Sequence, residues 1–287
     1  LTPNDLDQVF ESEHFRFHYT NEGTDAVSDP NYIFQMAEVF EEVYSFYIDT
    51  LNFSAPVSDP DSDDILYDVF VENLPTYYFG ITYTKNTSVS SPACVSYIKM
   101  RNNYDGSQFS EHTELENVQV TAVHEFFHAI QFSYNCYERF WFMEATAVWS
   151  EDELYNNVND HYRYISSWFS NINKSLDDES SHMYGSFIFF QYIDEHLGGP
   201  NTIRLCWEKS HELASPIQDN SIESINAALS DLGSSFEETY LKMRIANKIM
   251  NTNAGLYSYE EADGYRSAGG YPFCLLYTSD AADDLWC

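Results

Sequence analysis

The chain has 287 residues, of which 44% are hydrophobic and 17% aromatic, so it can bury a sizeable core and is not expected to be disordered. It carries 46 acidic residues against 13 lysines and arginines, a formal net charge of -33. So acidic a surface repels phosphate groups, which argues against nucleic acids and anionic membranes as partners. No run approaches the roughly 20 apolar residues that a membrane-spanning helix needs.

The first part of the chain has the pattern of a mixed α/β fold. Aromatic residues alternate with polar ones from Phe15 to Tyr19, which is the period of a β-strand. Apolar residues then recur every three or four positions between Tyr32 and Leu51, which predicts an amphipathic helix. Clusters of Pro, Asn and Ser separate three further predicted strands, at residues 65–71, 78–83 and 94–100.

An acidic turn precedes the first of those three strands. Asp59, Asp61 and Asp63 alternate as acidic residues do in a calcium-binding loop. Asp64 stands where such a loop has its glycine, and Phe70 where it has its last glutamate, so the segment is not an EF-hand. A looser Ca²⁺ site and a solvated turn both stay open.

From about residue 113 onward the pattern is helical. Thr113 and Glu116 form the signature of a capping box, which predicts a helix from about Glu114 to Tyr134. Gly198, followed by another glycine and a proline, marks a stop between two later helices. Further helices are predicted at residues 144–155, 161–169, 182–196, 202–211, 221–232 and 236–250.

These elements predict an α+β fold, with a twisted mixed sheet and the active-site helix in residues 1–135 and a mostly helical part in residues 136–250. Residues 251–273 are expected to be the incomplete start of a following segment. Residues 274–287 include a stretch that resembles the translation of a transposon adapter used in DNA sequencing, so we expect this tail to be an artefact. Because the chain begins at Leu1 without a signal peptide, we expect a processed or trimmed segment.

The cysteines allow little cross-linking. Two of the five lie in the tail, which leaves Cys94, Cys136 and Cys206. Three cysteines can form at most one disulfide, and the sequence does not say which pair it joins. No CxxC pattern occurs, so a thiolate zinc site is unsupported.

His124, Glu125 and His128 form an HExxH motif within the predicted helix. Two histidines four residues apart lie on one face of a helix and can bind a single Zn²⁺ through their imidazole nitrogens. Glu125 projects about 100° around the helix, where it can act as general base on a water. The neighbouring residues are apolar, so burying these three polar side chains without a function would be costly.

A catalytic zinc needs a third protein ligand. Tyr134 lies six residues beyond His128, where a metzincin has its third ligand, so that arrangement is excluded. Glu144 lies in the apolar helical stretch WFMEATAVW and is the predicted third ligand. Glu151 is the first alternative, although the acidic residues that follow it indicate solvent there, and Glu138 is the second.

The HEFFH motif at 124–128 and the WFMEATAVW motif at 141–149 together resemble the gluzincin metallopeptidases, and in particular secreted bacterial metalloproteases. Ala145 stands where those proteins often have glycine. The resemblance extends over residues 13–213, but only the two motifs are specific. It implies a zincin-like fold, a secreted or extracellular location, which the acidity fits, and one catalytic zinc ion bound by His124, His128 and Glu144.

We therefore predict a zinc-dependent endopeptidase that acts on peptides or proteins, because the aminopeptidase signature Gly-x-Met-x-Asn is absent. Tyr184 and His182 are candidate donors to the oxyanion of the reaction. Four other histidines are expected at the surface: His14, His18, His112 and His161. Two alternatives stay open, a zinc hydrolase of a non-peptide amide or ester and a non-catalytic zincin-like binding protein, although the intact Glu125 argues against the second. The oligomeric state is not predicted.

Overall fold

A computed structural model describes residues 6–62, 65–85, 92–215 and 219–269. The described N-terminal half contains five strands and two long helices: β1 (Gln8–Glu11), β2 (Phe15–Tyr19), α1 (Pro30–Tyr44), β3 (Tyr67–Glu72), β4 (Gly80–Thr84), β5 (Ser96–Arg101) and α2 (Glu114–Tyr134). The described remainder is helical: α3 (Phe140–Tyr155), α4 (Tyr162–Ser170), α5 (His182–Gly185), α6 (Phe187–His196), α7 (Pro200–Leu213), α8 (Ser221–Asp231), α9 (Phe236–Ile249) and α10 (Ala262–Ser267). The predicted α+β organisation, sheet first and helices afterwards, is confirmed.

The five strands form one mixed sheet in the order β1-β2-β3-β5-β4. The central pairs β2–β3 and β3–β5 are parallel, whereas β1 and β4 pair antiparallel at the two edges. Phe15 and Phe17 of β2 point into the core, where both rings contact Phe40 of α1. The alternation that predicted β2 therefore corresponds to one buried face.

Helix α1 begins where the sequence supplies both a cap and a proline. The Asp29 carboxylate accepts a hydrogen bond from the Asn31 amide, and Pro30 occupies the first turn, which has no need of its N–H. The helix predicted at 32–51 continues beyond Tyr44 as a π-helical segment, Ser45–Thr50.

Helix α2 has the predicted capping box, in which Thr113 and Glu116 satisfy each other's backbone amides. The helix packs against β4 and β5 on one side and against α1 and α3 on the others. Because most of its side chains are buried, it is fixed between the sheet and the helical half. The buried apolar residues of both halves form one continuous core.

Two helix predictions need correction. Helix α3 starts at Phe140 instead of 144, because Arg139 adopts the extended conformation of a cap and its carbonyl accepts hydrogen bonds from Phe142 and Met143. The helix predicted at 182–196 is divided at Ser186, whose hydroxyl donates to the Leu176 carbonyl. Strand β1 and helix α10 were not predicted.

One disulfide joins Cys94, just before β5, to Cys136, just after α2, while Cys206 is a buried thiol. The prediction of at most one pair is confirmed for the body of the chain, and the pair is now identified. Among the described helices, none combines the length and the apolar character needed to cross a membrane. The tail at 274–287 and Asp63 lie outside the described residues.

Candidate metal centre

The two histidines of the HExxH motif meet Glu144 as the sequence predicts. In the described structure His124 Nε2 lies 3.2 Å from Glu144 Oε2, and His128 Nε2 lies 3.7 Å from the same oxygen. Zinc binds such atoms at about 2.0–2.1 Å, so neighbouring ligand atoms in a tetrahedral site are about 3.3 Å apart. The three side chains therefore fit a zinc ion with small movements, and they are one of the groups able to hold a metal.

The other nitrogen of each imidazole ring is held by a second partner. His124 Nδ1 lies 2.7 Å from Glu151 Oε1, and His128 Nδ1 lies 2.8 Å from Gln131 Oε1. Since a carboxylate and an amide oxygen can only accept, both Nδ1 atoms donate and both Nε2 atoms are left to bind a metal. The Gln131 amide in turn donates to the Met143 carbonyl and to Thr146, which ties α2 to α3.

The charges of the centre are strongly coupled. Burial alone would lower the pKa of His124, but hydrogen bonds to Glu144 and Glu151 outweigh it and raise that pKa well above its usual range. Burial would likewise raise the pKa of Glu144, yet the charges and hydrogen bonds of His128 and His124 bring it far below its ordinary value. Without a metal, these shifts favour an anionic Glu144 next to a protonated His124. A divalent cation can take the place of the His124 proton.

Strand β4 positions the proposed general base, Glu125. The Thr82 hydroxyl lies 2.7 Å from Glu125 Oε2 and 2.8 Å from the Glu125 carbonyl oxygen. The backbone of Gly80 packs directly against α2. A Cβ atom at this position would be only 2.7 Å from Glu125 Cγ and 2.8 Å from Thr121 Cγ2. Sequence patterns did not point to either β4 residue, since both lie about forty positions upstream of the motif.

A cleft of about 330 Å³ opens beside His124 and Glu125. Aromatic side chains form much of its wall: Tyr77, Tyr78, Phe79, Tyr164 and Tyr184. Arg163 contributes a cation that pairs with Asp160 and lies over the Phe79 ring. The cleft thus combines apolar surface with the polar groups of the centre, as ligand sites commonly do.

The structure separates the two candidate oxyanion donors. Tyr184 lines the cleft and stacks on Tyr164, and burial, followed by the nearby charges of Glu144 and Glu125, raises its pKa. A raised pKa keeps the hydroxyl protonated, as a donor must be. The His182 ring instead stacks on Trp168, and it is not part of the cleft wall. Tyr184 is therefore the better placed of the two.

The environment predicted for Glu151 was wrong. Its side chain is buried, although Asp152 and Glu153 follow it, and it lies beside Nδ1 of His124, one of the predicted ligands. Glu138, the other alternative ligand, accepts a hydrogen bond from Ser210 and is not grouped with the two histidines.

The surface location predicted for four histidines was wrong for two of them. His18 and His161 are buried, and carboxylates offset the cost: His18 pairs with Asp68, and His161 lies between Glu261 and Asp152. His14 and His112 are partly exposed and also face carboxylates.

In the acidic turn, the Asp59 carboxylate pairs with Lys85 Nζ at 2.9 Å.

The comparisons with known proteins leave the activity open. Curated proteins give no match to the sequence. The sequence model of a family of unknown function, DUF6055, matches residues 5–226.

Proposed function

The chain belongs to the DUF6055 family of unknown function, and we propose that it is a zinc-dependent hydrolase of peptide bonds. One observation carries the proposal: His124, His128 and Glu144 converge beside an open cleft whose wall includes His124 and the buried Glu125. Three protein ligands beside a cleft are typical of catalytic zinc, whereas structural zinc sites are closed by four.

Zinc bound there supplies Lewis-acid chemistry, which polarises a carbonyl group and makes water a stronger acid. Glu125 takes the proton from a water in the cleft and returns it to the leaving amine. The hydrogen bond from Thr82 and the close approach of Gly80 hold the Glu125 carboxylate in place for this role. Glu151 and Gln131 fix the two imidazole rings in the tautomer that leaves Nε2 to the metal.

Tyr184 is proposed to donate a hydrogen bond to the oxygen that becomes negatively charged in the reaction. It lines the same cleft as Glu125, and its protonated hydroxyl is a donor at neutral pH. The aromatic walls favour substrates with apolar or aromatic side chains near the cleaved bond. A peptide or protein is therefore the substrate class that we propose.

We also propose that the protein acts outside the cell. The disulfide between Cys94 and Cys136 would be reduced in most cytosols, and the high negative charge suits an extracellular protein. Counting free thiols in protein taken directly from its native source tests this proposal. Two reduced thiols at these positions would contradict it.

The decisive experiment measures zinc content and peptide cleavage on the same samples. Wild-type protein reconstituted with zinc should cleave a mixed peptide library, and a chelator should abolish cleavage. Glu125→Gln should keep its zinc but lose about 10²- to 10⁴-fold in rate, because the base is removed while the ligands stay. Glu114→Gln, an exposed change on the same helix, should behave as wild type.

Three results would contradict the proposal. An E125Q variant within tenfold of wild-type activity would show that Glu125 is not the base. Cleavage of amide or ester compounds without cleavage of peptides would favour the alternative zinc hydrolase. Zinc-loaded wild-type protein that hydrolyses neither class would favour a zincin-like binding protein.

A further inference from the structure

A second group of ligand-type side chains lies behind the first, at the other end of α3. It consists of Asp152 on α3, His161 just before α4 and Glu261 just before α10. One ligand atom from each lies within 4.8 Å of the others. His161 Nε2 is 3.0 Å from Glu261 Oε2, whereas Asp152 Oδ1 lies 3.7 Å from the other ring nitrogen, Nδ1. Because one ion binds only one of these nitrogens, one of the two carboxylates has to move round the ring to join it.

One oxygen of the Asp152 side chain has no hydrogen-bond donor among the described residues, because His161 Nδ1, its ion-pair partner, is 3.7 Å away. The Asp152 side chain is 4% exposed, and within the described part of the chain its Oδ1 accepts no hydrogen bond. A buried carboxylate oxygen without a donor is costly, and such an atom calls for an unseen water or ion. This oxygen is the one that faces His161, so the unsatisfied atom points into the group.

We propose that Asp152, His161 and Glu261 form a second metal site, which binds a divalent transition-metal ion such as Zn²⁺. One imidazole and two carboxylates are a donor set that zinc accepts, whereas Ca²⁺ and Mg²⁺ prefer oxygen ligands alone. Tyr162 lies 3.1 Å from the second oxygen of Glu261 and so orients that ligand from outside.

The surroundings of this group are negatively charged and therefore favour a bound cation. The neighbouring carboxylates of Glu151 and Asp194 lie close enough to add negative potential at Asp152. The His161 ring is 1% exposed and is enclosed by Phe187 and Tyr265, so the site is closed and apolar on its outside. The three ligands come from separate segments and are not part of the cleft wall, which indicates an ion that stabilises the fold rather than one that acts on a substrate.

Such an ion would connect parts of the chain that lie far apart in sequence. Asp152 and Glu261 are about 110 residues apart, and Glu261 begins the helix that packs on α4. Asp152 directly follows Glu151, whose carboxylate lies 2.7 Å from His124 Nδ1, so the second ion would bind α3 next to a residue that supports the first centre. The second ion would then stabilise the helix that carries the first.

The test is zinc stoichiometry after equilibrium dialysis of the full chain against buffered Zn²⁺, with folding checked by circular dichroism. Wild type should hold two ions per chain, the His124→Ala/His128→Ala double variant one, and Asp152→Asn one. Asp152→Asn keeps the shape of the side chain and removes its charge. Asp49→Asn, an exposed change, is the matched control and should hold two.

A thermal measurement isolates the second site. In the double variant, zinc at 100 times its Kd should raise Tm by about 5 °C, and the rise should disappear when Asp152→Asn is added. If Asp152→Asn does not fold, Glu261→Gln gives the same comparison, since Glu261 is less buried.

The outcomes separate this proposal from the proposed function. A double variant without zinc, or a D152N variant that holds as much zinc as wild type, would overturn the second site. A single ion in wild type that D152N removes and the double variant keeps would support the second site and contradict the hydrolase.

Discussion

Glu151 offers a quantitative test of how the proposed zinc ligands are supported. Its Oε1 lies 2.7 Å from His124 Nδ1 in a buried environment, and no described residue donates a hydrogen bond to its Oε2. Glu151→Gln can therefore keep an oxygen next to Nδ1, while an NH2 group replaces Oε2 and the negative charge is lost. The substitution thus tests the charge behind the predicted ligand.

We expect zinc affinity to fall 10- to 100-fold in E151Q, which is the usual effect of removing a support of this kind. In free energy this is about 1.4–2.7 kcal/mol. The effect should not be larger, because His124, His128 and Glu144 all remain. Glu144→Gln removes a ligand itself and should cost more than E151Q.

Competition with a chromophoric chelator at pH 7.5 measures both losses on one scale. Glu237→Gln, an exposed change on α9, controls for the loss of one negative charge elsewhere. An E151Q affinity within threefold of the control would refute the supporting role. A loss in E151Q greater than in E144Q would make Glu151 the third ligand.

Three further predictions concern the base, the donor and the effect of pH. Gly80→Ala should leave zinc content unchanged but lower kcat about 10- to 100-fold, because the added Cβ would displace Glu125. A kcat of this variant equal to that of wild type would show that the cleft tolerates the displacement. Tyr184→Phe should lower kcat about 10²- to 10³-fold at constant zinc content, and a change below threefold would make Tyr184 a packing residue. Zinc affinity should rise about tenfold per pH unit around neutrality, because zinc must displace the proton that the raised pKa keeps on His124. A zinc affinity that does not change with pH in chelator competition would contradict this.

Local sequence patterns predicted the parts of the centre that lie on single elements. The spacing of His124 and His128 within a capped apolar helix fixes their common face, and the structure places them together. Glu144 could be predicted because a carboxylate in an otherwise apolar helix needs a cationic partner. Gln131 could also have been predicted, since it lies one turn beyond His128 on the same helix.

The remaining parts depend on contacts between distant segments, which local patterns do not encode. Thr82 reaches Glu125 only because β4 pairs at the sheet edge next to α2. The acidic residues at the end of α3 predict exposure to solvent. In the structure, the segment that carries Glu261 covers this end, and Asp152 and His161 are buried. The charged residues in this part of the sequence therefore predicted solvent exposure, whereas in the fold they are buried next to charged partners.

The place of β4 in the sheet has a consequence for which proteins could be cleaved. It is an outer strand, paired with β5 on one side, and no described strand pairs with its other side. An extended segment can add its backbone to such an edge, which would set it alongside Gly80, at the wall of the cleft next to Glu125. Helical or compact segments cannot do so without unravelling. The proposed hydrolase would therefore discriminate by backbone conformation before side chains, and would prefer loosely structured or unfolded chains to native domains.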